Sequence, residues 1–252
     1  MIGVIPAAGS GTRLLPFTRA VPKEMYPILG KTPLDYALEC MRIVGIKKVF
    51  IIVGHKKGAI IDYVGDGSRY NLKVIYVYQE KQLGLGHAIL QMEDFIDATF
   101  LTILGDTIII PNTEIKELIN VHINNERAIS TILLNEVRDP SEYGVARILE
   151  NGSIIELKEK PNDYDRIKFA KDGKYIVISG VYVLEPNIFK FLKDTNPGNN
   201  GEIQLTDAIQ CAIRNRQAVY GYILNGDRYD IGSWKTLLEV EQKLMKQKTC
   251  GK

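Results

Sequence analysis

Residues 2–13 read Ile2-Gly3-Val4-Ile5-Pro6-Ala7-Ala8-Gly9-Ser10-Gly11-Thr12-Arg13, and the fold follows from what this stretch does. Ile2 to Pro6 is a short run without charge, as expected of a strand buried on both faces. It ends in a turn with glycines at 9 and 11, which lets successive backbone N–H groups point the same way. The same pattern returns along the chain. Val49-Phe50-Ile51-Ile52-Val53 ends at Gly54, Val74 to Tyr78 is another strand, and Phe100-Leu101-Thr102-Ile103-Leu104 ends at Gly105-Asp106. Between the first two, Leu34, Ala37, Leu38 and Met41 recur at i, i+3, i+4, i+7, one face of a helix. A further helix is expected from Leu85. Apolar strands alternating with helices predict a mostly parallel sheet covered on both faces, doubly wound with right-handed crossovers.

The second half is richer in strands. Ser130 to Leu134, Val145 to Leu149, Ile154 to Leu157 and Tyr175 to Leu184 are candidates, with Asn151-Gly152 as a hairpin turn. Pro186 is expected in the first turn of a helix carrying Ile188, Phe189 and Leu192. Ile203 to Ile213 reads as helical, and Ser233 as the N-cap of a closing helix with Trp234, Leu237, Leu238, Leu244 and Met245. The last residues read as a polar tail. No low-complexity linker or repeat divides the chain, and no hexapeptide β-helix pattern appears. A single domain over 1–252 is expected, with one lobe over about 1–110, a second over about 111–232 and the closing helix over about 233–248.

The 252 residues carry a net charge of +2, so no global field points to nucleic acid or an anionic membrane. Any anion must be bound locally. No apolar run approaches the roughly 18–20 residues of a membrane span, and no secretory leader pattern opens the chain. The three cysteines, Cys40, Cys211 and Cys250, match no metal spacing and read as reduced thiols. The expectation is a soluble cytoplasmic protein without nucleic-acid or membrane partners.

The glycine turn is suited to phosphate. Arg13 adds a fixed fork of donors, and Lys23, ten residues on in Pro22-Lys23-Glu24-Met25, adds a point charge. The turn is not a dinucleotide fingerprint, because Leu14 stands at the third glycine position. It is not a P-loop, because no Gly-Lys-Ser/Thr follows. Taken together, G-S-G-T-R-L, P-K-E-M-Y-P-I and G-K-T-P-L resemble the opening signature of the sugar-1-phosphate nucleotidylyltransferases. The resemblance extends over nearly the whole chain. It implies a three-layer α/β/α Rossmann-like nucleotidyltransferase fold, with a mostly parallel central sheet and a strand-rich sugar-binding lobe. It also implies that Ala8, Gly9, Ser10, Gly11, Thr12 and Arg13 wrap a triphosphate and that Lys23 reaches its α-phosphate.

Gln79 at a strand end, with Gly84-Leu85-Gly86-His87-Ala88 five residues later, matches the family's base-reading segment. A Gln oxygen can accept from the ring N3–H of uracil or thymine while its nitrogen donates to a carbonyl. The Gly84 backbone would meet the same ring. His87 reads more readily as a structural histidine than as a catalytic one. Asp106 follows an apolar strand, at the carboxyl edge where α/β ligands bind. Asp230 lies in Tyr229-Asp230-Ile231-Gly232. Two carboxylates from distant segments suit one Mg²⁺ that keeps several waters, and the resemblance assigns this pair to that metal.

Glu142-Tyr143-Gly144-Val145, Glu159-Lys160-Pro161, Ser179-Gly180-Val181-Tyr182 and Gly201-Glu202-Ile203-Gln204-Leu205-Thr206-Asp207 follow in family order. The resemblance places a sugar phosphate against Gly144, Glu159, Lys160, Gly180 and Tyr182. Glu202 and Asp207 are accounted for nearly as well by helix capping and first-turn charge. The implied reaction is in-line displacement, with Arg13, Lys23, Asp106 and Lys160 as the catalytic set. The motifs favour UTP with glucose-1-phosphate. They leave open dTTP with the same sugar, and also a nucleotide-sugar-binding regulatory subunit without turnover. A homo-oligomer, dimer or tetramer, is expected from the same resemblance.

Overall fold

The computed structural model describes residues 1–198 and 201–250, the last four by backbone alone. The first half contains β1 (Ile2–Ala7), α1 (Pro33–Ile43), β2 (Lys48–Val53), α2 (Lys57–Val64), β3 (Lys73–Tyr78), α3 (Leu85–Leu90) and β4 (Phe100–Ile103). Then come β5 (Thr107–Ile110), α4 (Glu114–Ile123), β6 (Ala128–Val137), β7 (Gly144–Ile148), β8 (Ile154–Glu159) and α5 (Asp163–Phe169). The chain closes with β9 (Tyr175–Leu184), α6 (Ile188–Lys193), α7 (Leu205–Arg214), β10 (Ala218–Ile223), β11 (Asp227–Asp230) and α8 (Trp234–Cys250).

The main sheet runs β10-β6-β9-β4-β1-β2-β3, with β7 pairing β9 and β8. Strands β3, β2, β1 and β4 are mutually parallel, as are β6 and β10, while β9 runs antiparallel between β4 and β6. Leu34, Leu38 and Met41 of α1, Ile60 of α2 and Ile115 of α4 pack on one face. Ile89 of α3, Ile188 of α6 and Ile209 of α7 pack on the other. This is the three-layer α/β/α arrangement expected from the sequence.

Local chemistry explains the helix starts. Thr32 caps α1: its hydroxyl oxygen accepts from the Asp35 N–H (3.1 Å), and the Asp35 carboxylate accepts from the Thr32 N–H (2.7 Å). Pro33 at the first position has no N–H to leave unsatisfied. Two predicted helices start later than the sequence reading placed them. Helix α7 begins at Leu205 rather than Ile203. The Ile203 N–H is committed to the Leu83 carbonyl (2.7 Å), and the Ile203 carbonyl accepts from the Gly86 N–H (2.8 Å). Helix α6 begins at Ile188, so Pro186 lies in the entering turn, ahead of the N-cap Asn187. The polar tail is also corrected: α8 runs through Cys250, whose side chain lies outside the described residues.

Two features position the site. Strand β1 has β2 on one side and β4 on the other, so the winding reverses there and opens a crevice at the carboxyl ends of β1 and β4. The short antiparallel pair β5–β11 then sets Asp230 opposite Thr107, one residue from Asp106. Helix α8 packs Leu237, Val240 and Leu244 against Leu14, Ile28 and Ile108. The Trp234 indole N–H donates to the Leu15 carbonyl (3.0 Å), so the closing helix pins the glycine loop.

Candidate active site

Two adjoining cavities occupy the crevice. The larger, of about 590 Å³, is walled by the loop after β1, by Lys23 and Glu24, and by Gln79, Gln82 and Gly84. The smaller, of about 150 Å³, lies among β7, β8, β9 and β11. Asp106 and Glu142 line both, so a ligand spanning the two passes Asp106.

All the residues assigned to the nucleotide side reach the larger cavity: Ala8, Gly9, Ser10, Gly11, Thr12, Arg13, Lys23, Gln79 and Gly84. Gly11 has φ +63°, and a Cβ there would lie 2.8 Å from Thr18 Cγ2, so the turn requires glycine. The Thr18 hydroxyl fixes the turn by donating to the Gly11 carbonyl (2.8 Å). Gly84 has φ +94°, and a Cβ would come within 2.7 Å of the Ile203 carbonyl. This tight seam holds the Gln79–Gly84 loop against the entry to α7.

Of the residues expected to meet the sugar phosphate, Gly144, Glu159, Gly180 and Tyr182 line the smaller cavity, together with Asp230, which was expected to hold the metal. Strands β7 and β8 pair Gly144 with Glu159, which brings two separated motifs together. The Thr206 hydroxyl donates to Glu159 (2.7 Å). Burial raises the Glu159 pKa against that bond. A Cβ at Gly144 would lie 3.0 Å from the Glu159 carboxylate, and one at Gly180 would lie 2.8 Å from the Thr107 hydroxyl. Close packing against the chain's own side chains therefore requires both glycines, in addition to any room they leave for a sugar. Lys160 is exposed and lines not the smaller cavity but the larger one, which it shares with Asp106 and Glu142. Asp207 is in the first turn of α7, where its charge favours the helix.

Opposite charges are concentrated at the junction. The Lys23 ammonium pairs with the Asp106 carboxylate. Burial works against both charges, but the pairing wins: the Lys23 pKa is held above its ordinary value and that of Asp106 below. Asp230 is raised, by burial first and by Asp106 second. Lys23 and Arg228 oppose this repulsion without cancelling it at Asp230, so a further cation between the two carboxylates would be favoured. Among the described residues no cluster of three or more His, Cys, Asp or Glu is available to cage a metal. Mg²⁺ needs no such cage, because it is held by one or two carboxylates with waters and substrate phosphates. Asp106 and Asp230 fit that cation and fit poorly with one demanding a full protein shell.

Several residues here escaped the sequence reading. Arg228 is half-buried and lines the smaller cavity, 3.9 Å from Asp230, with its guanidinium 4.7 Å from the Tyr143 ring centre and its Nε without a partner. Period-two alternation along β11 puts it on the same face as Asp230, which follows only once these residues are known to form a strand. Glu24 is buried beside Lys23, and burial pushes its pKa up to about 7. Gln82 donates to the Ala8 carbonyl (2.6 Å), and Glu142 accepts from Arg13 (2.6 Å) across the cavity mouth. Gln82 does not stand out in its loop, whereas Glu142 opens a motif already read in the sequence, and only its pairing with Arg13 is new.

Residues 2–247 match the Nucleotidyl transferase family, and the chain belongs to it. It is 39% identical over 238 residues to the Bifunctional protein GlmU of Methanococcus vannielii, covering 94% of this chain and 53% of that one. It is 33% identical over 248 residues to a Glucose-1-phosphate thymidylyltransferase of Streptomyces griseus, covering 97% and 66%. The chain thus spans about half of the first relative and about two thirds of the second. A solved UDP-glucose pyrophosphorylase complexed with UDP-glucose superposes with a TM-score of 0.85 at 32% identity, covering 98% of each chain. No helix among the described residues is long and apolar enough to cross a membrane.

Proposed function

We propose that the chain transfers a uridylyl group from UTP to glucose-1-phosphate, giving UDP-glucose and pyrophosphate. The observation that carries this reading is the pair of cavities meeting at Asp106, one behind a glycine loop and one floored by Glu159. A phosphate oxygen of the sugar phosphate attacks the α-phosphorus. The bond from that phosphorus to the β-phosphate bridging oxygen breaks, and pyrophosphate leaves with the electron pair. No covalent enzyme intermediate is needed, so positioning and charge neutralisation account for the acceleration.

The chain's own residues divide this work. Backbone N–H groups from Gly9 to Thr12 cradle the β- and γ-phosphates, and Arg13 neutralises charge on the departing pyrophosphate. Lys23 holds the α-phosphate, and Lys160 across the cavity orients the incoming sugar phosphate. Glu159 accepts from two sugar hydroxyls, with Tyr182 behind it. Gln79 and Gly84 face the base. Asp106 and Asp230 would hold Mg²⁺, which supplies charge neutralisation at the phosphates.

A second reading keeps the mechanism and takes dTTP. The Streptomyces griseus relative named for thymidylyl transfer supports it. A homo-oligomer remains part of the proposal. The test is release of pyrophosphate from UTP and glucose-1-phosphate by the purified protein, with and without Mg²⁺. Binding of both substrates without release would favour the regulatory-subunit alternative.

A further inference from the structure

Gln79 follows β3 and is only 3% exposed. Its amide nitrogen lies 2.8 Å from Nδ1 of His87 and 3.4 Å from the Gly84 carbonyl oxygen. An amide nitrogen has two hydrogens to give and no lone pair to accept with. The 2.8 Å contact therefore sets the imidazole tautomer: Nδ1 accepts, and the ring hydrogen sits on Nε2. The Gln91 amide nitrogen is farther from the ring, 3.4 Å from Nε2, and donates to the His87 carbonyl at 3.3 Å. If Gln79 were turned over, its own oxygen would oppose the Gly84 carbonyl, and the imidazole would have to move its hydrogen to Nδ1 to meet that oxygen. As it stands, the oxygen end of the amide is the one left for the cavity that Gln79 lines.

We propose that His87 is a positioning residue for base selection, holding the Gln79 oxygen toward the base so that the site takes a ring N–H and refuses a bare ring nitrogen. This rests on the reading of Gln79 as the base-reading side chain. Uracil and thymine present N3–H at that edge. Cytosine presents an unprotonated N3, which would face the Gln79 oxygen lone pairs. To accept cytosine, Gln79 must turn over and His87 must carry its hydrogen on Nδ1. Burial lowers the His87 pKa, which keeps the ring in its neutral, accepting form. Discrimination is thus held partly in a residue on the helix beyond the pocket.

The test compares kcat/KM for UTP and CTP, with glucose-1-phosphate as acceptor, in wild type, His87→Phe and His87→Asp. Phe fills the space of the ring without an acceptor, whereas Asp keeps an acceptor and adds no donor. The UTP-to-CTP ratio should fall at least about fivefold in His87→Phe, the lower end for a buried polar mismatch relieved. It should stay within about threefold of wild type in His87→Asp, and the KM for glucose-1-phosphate should be unchanged in both. His87→Ala carries the same test if the Phe variant does not fold. A His87→Phe or His87→Ala enzyme that lost activity equally with both nucleotides, keeping the wild-type ratio, would overturn the proposal and leave His87 a packing residue. A wild-type enzyme with no preference for UTP over CTP would instead defeat the role given to Gln79, and the His87 proposal with it.

Discussion

Glu24→Gln isolates the electrostatics of the buried junction. Glu24 is 2% exposed and has a carboxylate oxygen, Oε2, without a hydrogen-bond partner. Burial raises its pKa from 4.5 to about 7, with Lys23 opposing the shift and Asp106 adding to it. In the unfolded chain the proton leaves near pH 4.5; in the folded chain it leaves near pH 7. Between those values the folded state binds more protons, so the group's stabilising contribution is full below pH 4.5 and is lost as pH rises through 7. At about 1.4 kcal/mol per pH unit, the contribution lost is about 3 kcal/mol. A glutamine side chain in its place would be neutral throughout and nearly the same shape. Urea unfolding of both proteins at pH 5 and pH 8.5 measures the effect, because other titrations largely cancel in the difference. The variant should gain about 2–3 kcal/mol on wild type between the two pH values. A difference that does not change with pH would refute the reasoning and mean that Glu24 stays charged in the fold, paired with Lys23.

Asp106→Asn should lower kcat by at least about a hundredfold, roughly 2.7 kcal/mol, with the fold retained by circular dichroism. Near-normal turnover in Mg²⁺ would remove Asp106 from the metal site. Arg13→Ala and Lys23→Ala should impair triphosphate use, whereas Lys160→Ala should mainly raise the KM for the sugar phosphate. Steady-state kinetics with each substrate varied separates them. A Lys160→Ala enzyme altered only in its nucleotide KM would assign that lysine to the triphosphate, beside which it lies in the larger cavity.

The parallel core was legible because β1, β2 and β4 are buried on both faces and therefore read as unbroken apolar runs. The glycine loop was legible for a related reason, since backbone that approaches an anion closely needs glycine. The β5–β11 pair was not. Four-residue strands with mixed polarity carry no period of their own, and their partners lie more than a hundred residues apart. Asp230 could therefore be matched with Asp106 only through resemblance, although the pairing is what brings the two carboxylates together. The start of α7 was misplaced because Ile203 is an apolar residue immediately ahead of the helix, while its backbone bonds to the Leu83–Gly86 loop. Glu24 and Gln82 were missed because their chemistry depends on what burial and chain crossing place beside them. His87 was judged by its side chain alone, and its contact with Gln79 is visible only in three dimensions.

The most direct test of the account is kcat/KM for pyrophosphate release with UTP, dTTP, CTP, ATP and GTP, each against glucose-1-phosphate, in wild type and in Gln79→Ala. UTP and dTTP should both work. They differ by one methyl group, so their preference should not exceed roughly two hundredfold. CTP should be worse and purines should fail, and Gln79→Ala should narrow the gap between UTP and CTP without altering the KM for the sugar phosphate. ATP or GTP as the best substrate, or no release with any nucleotide, would contradict it.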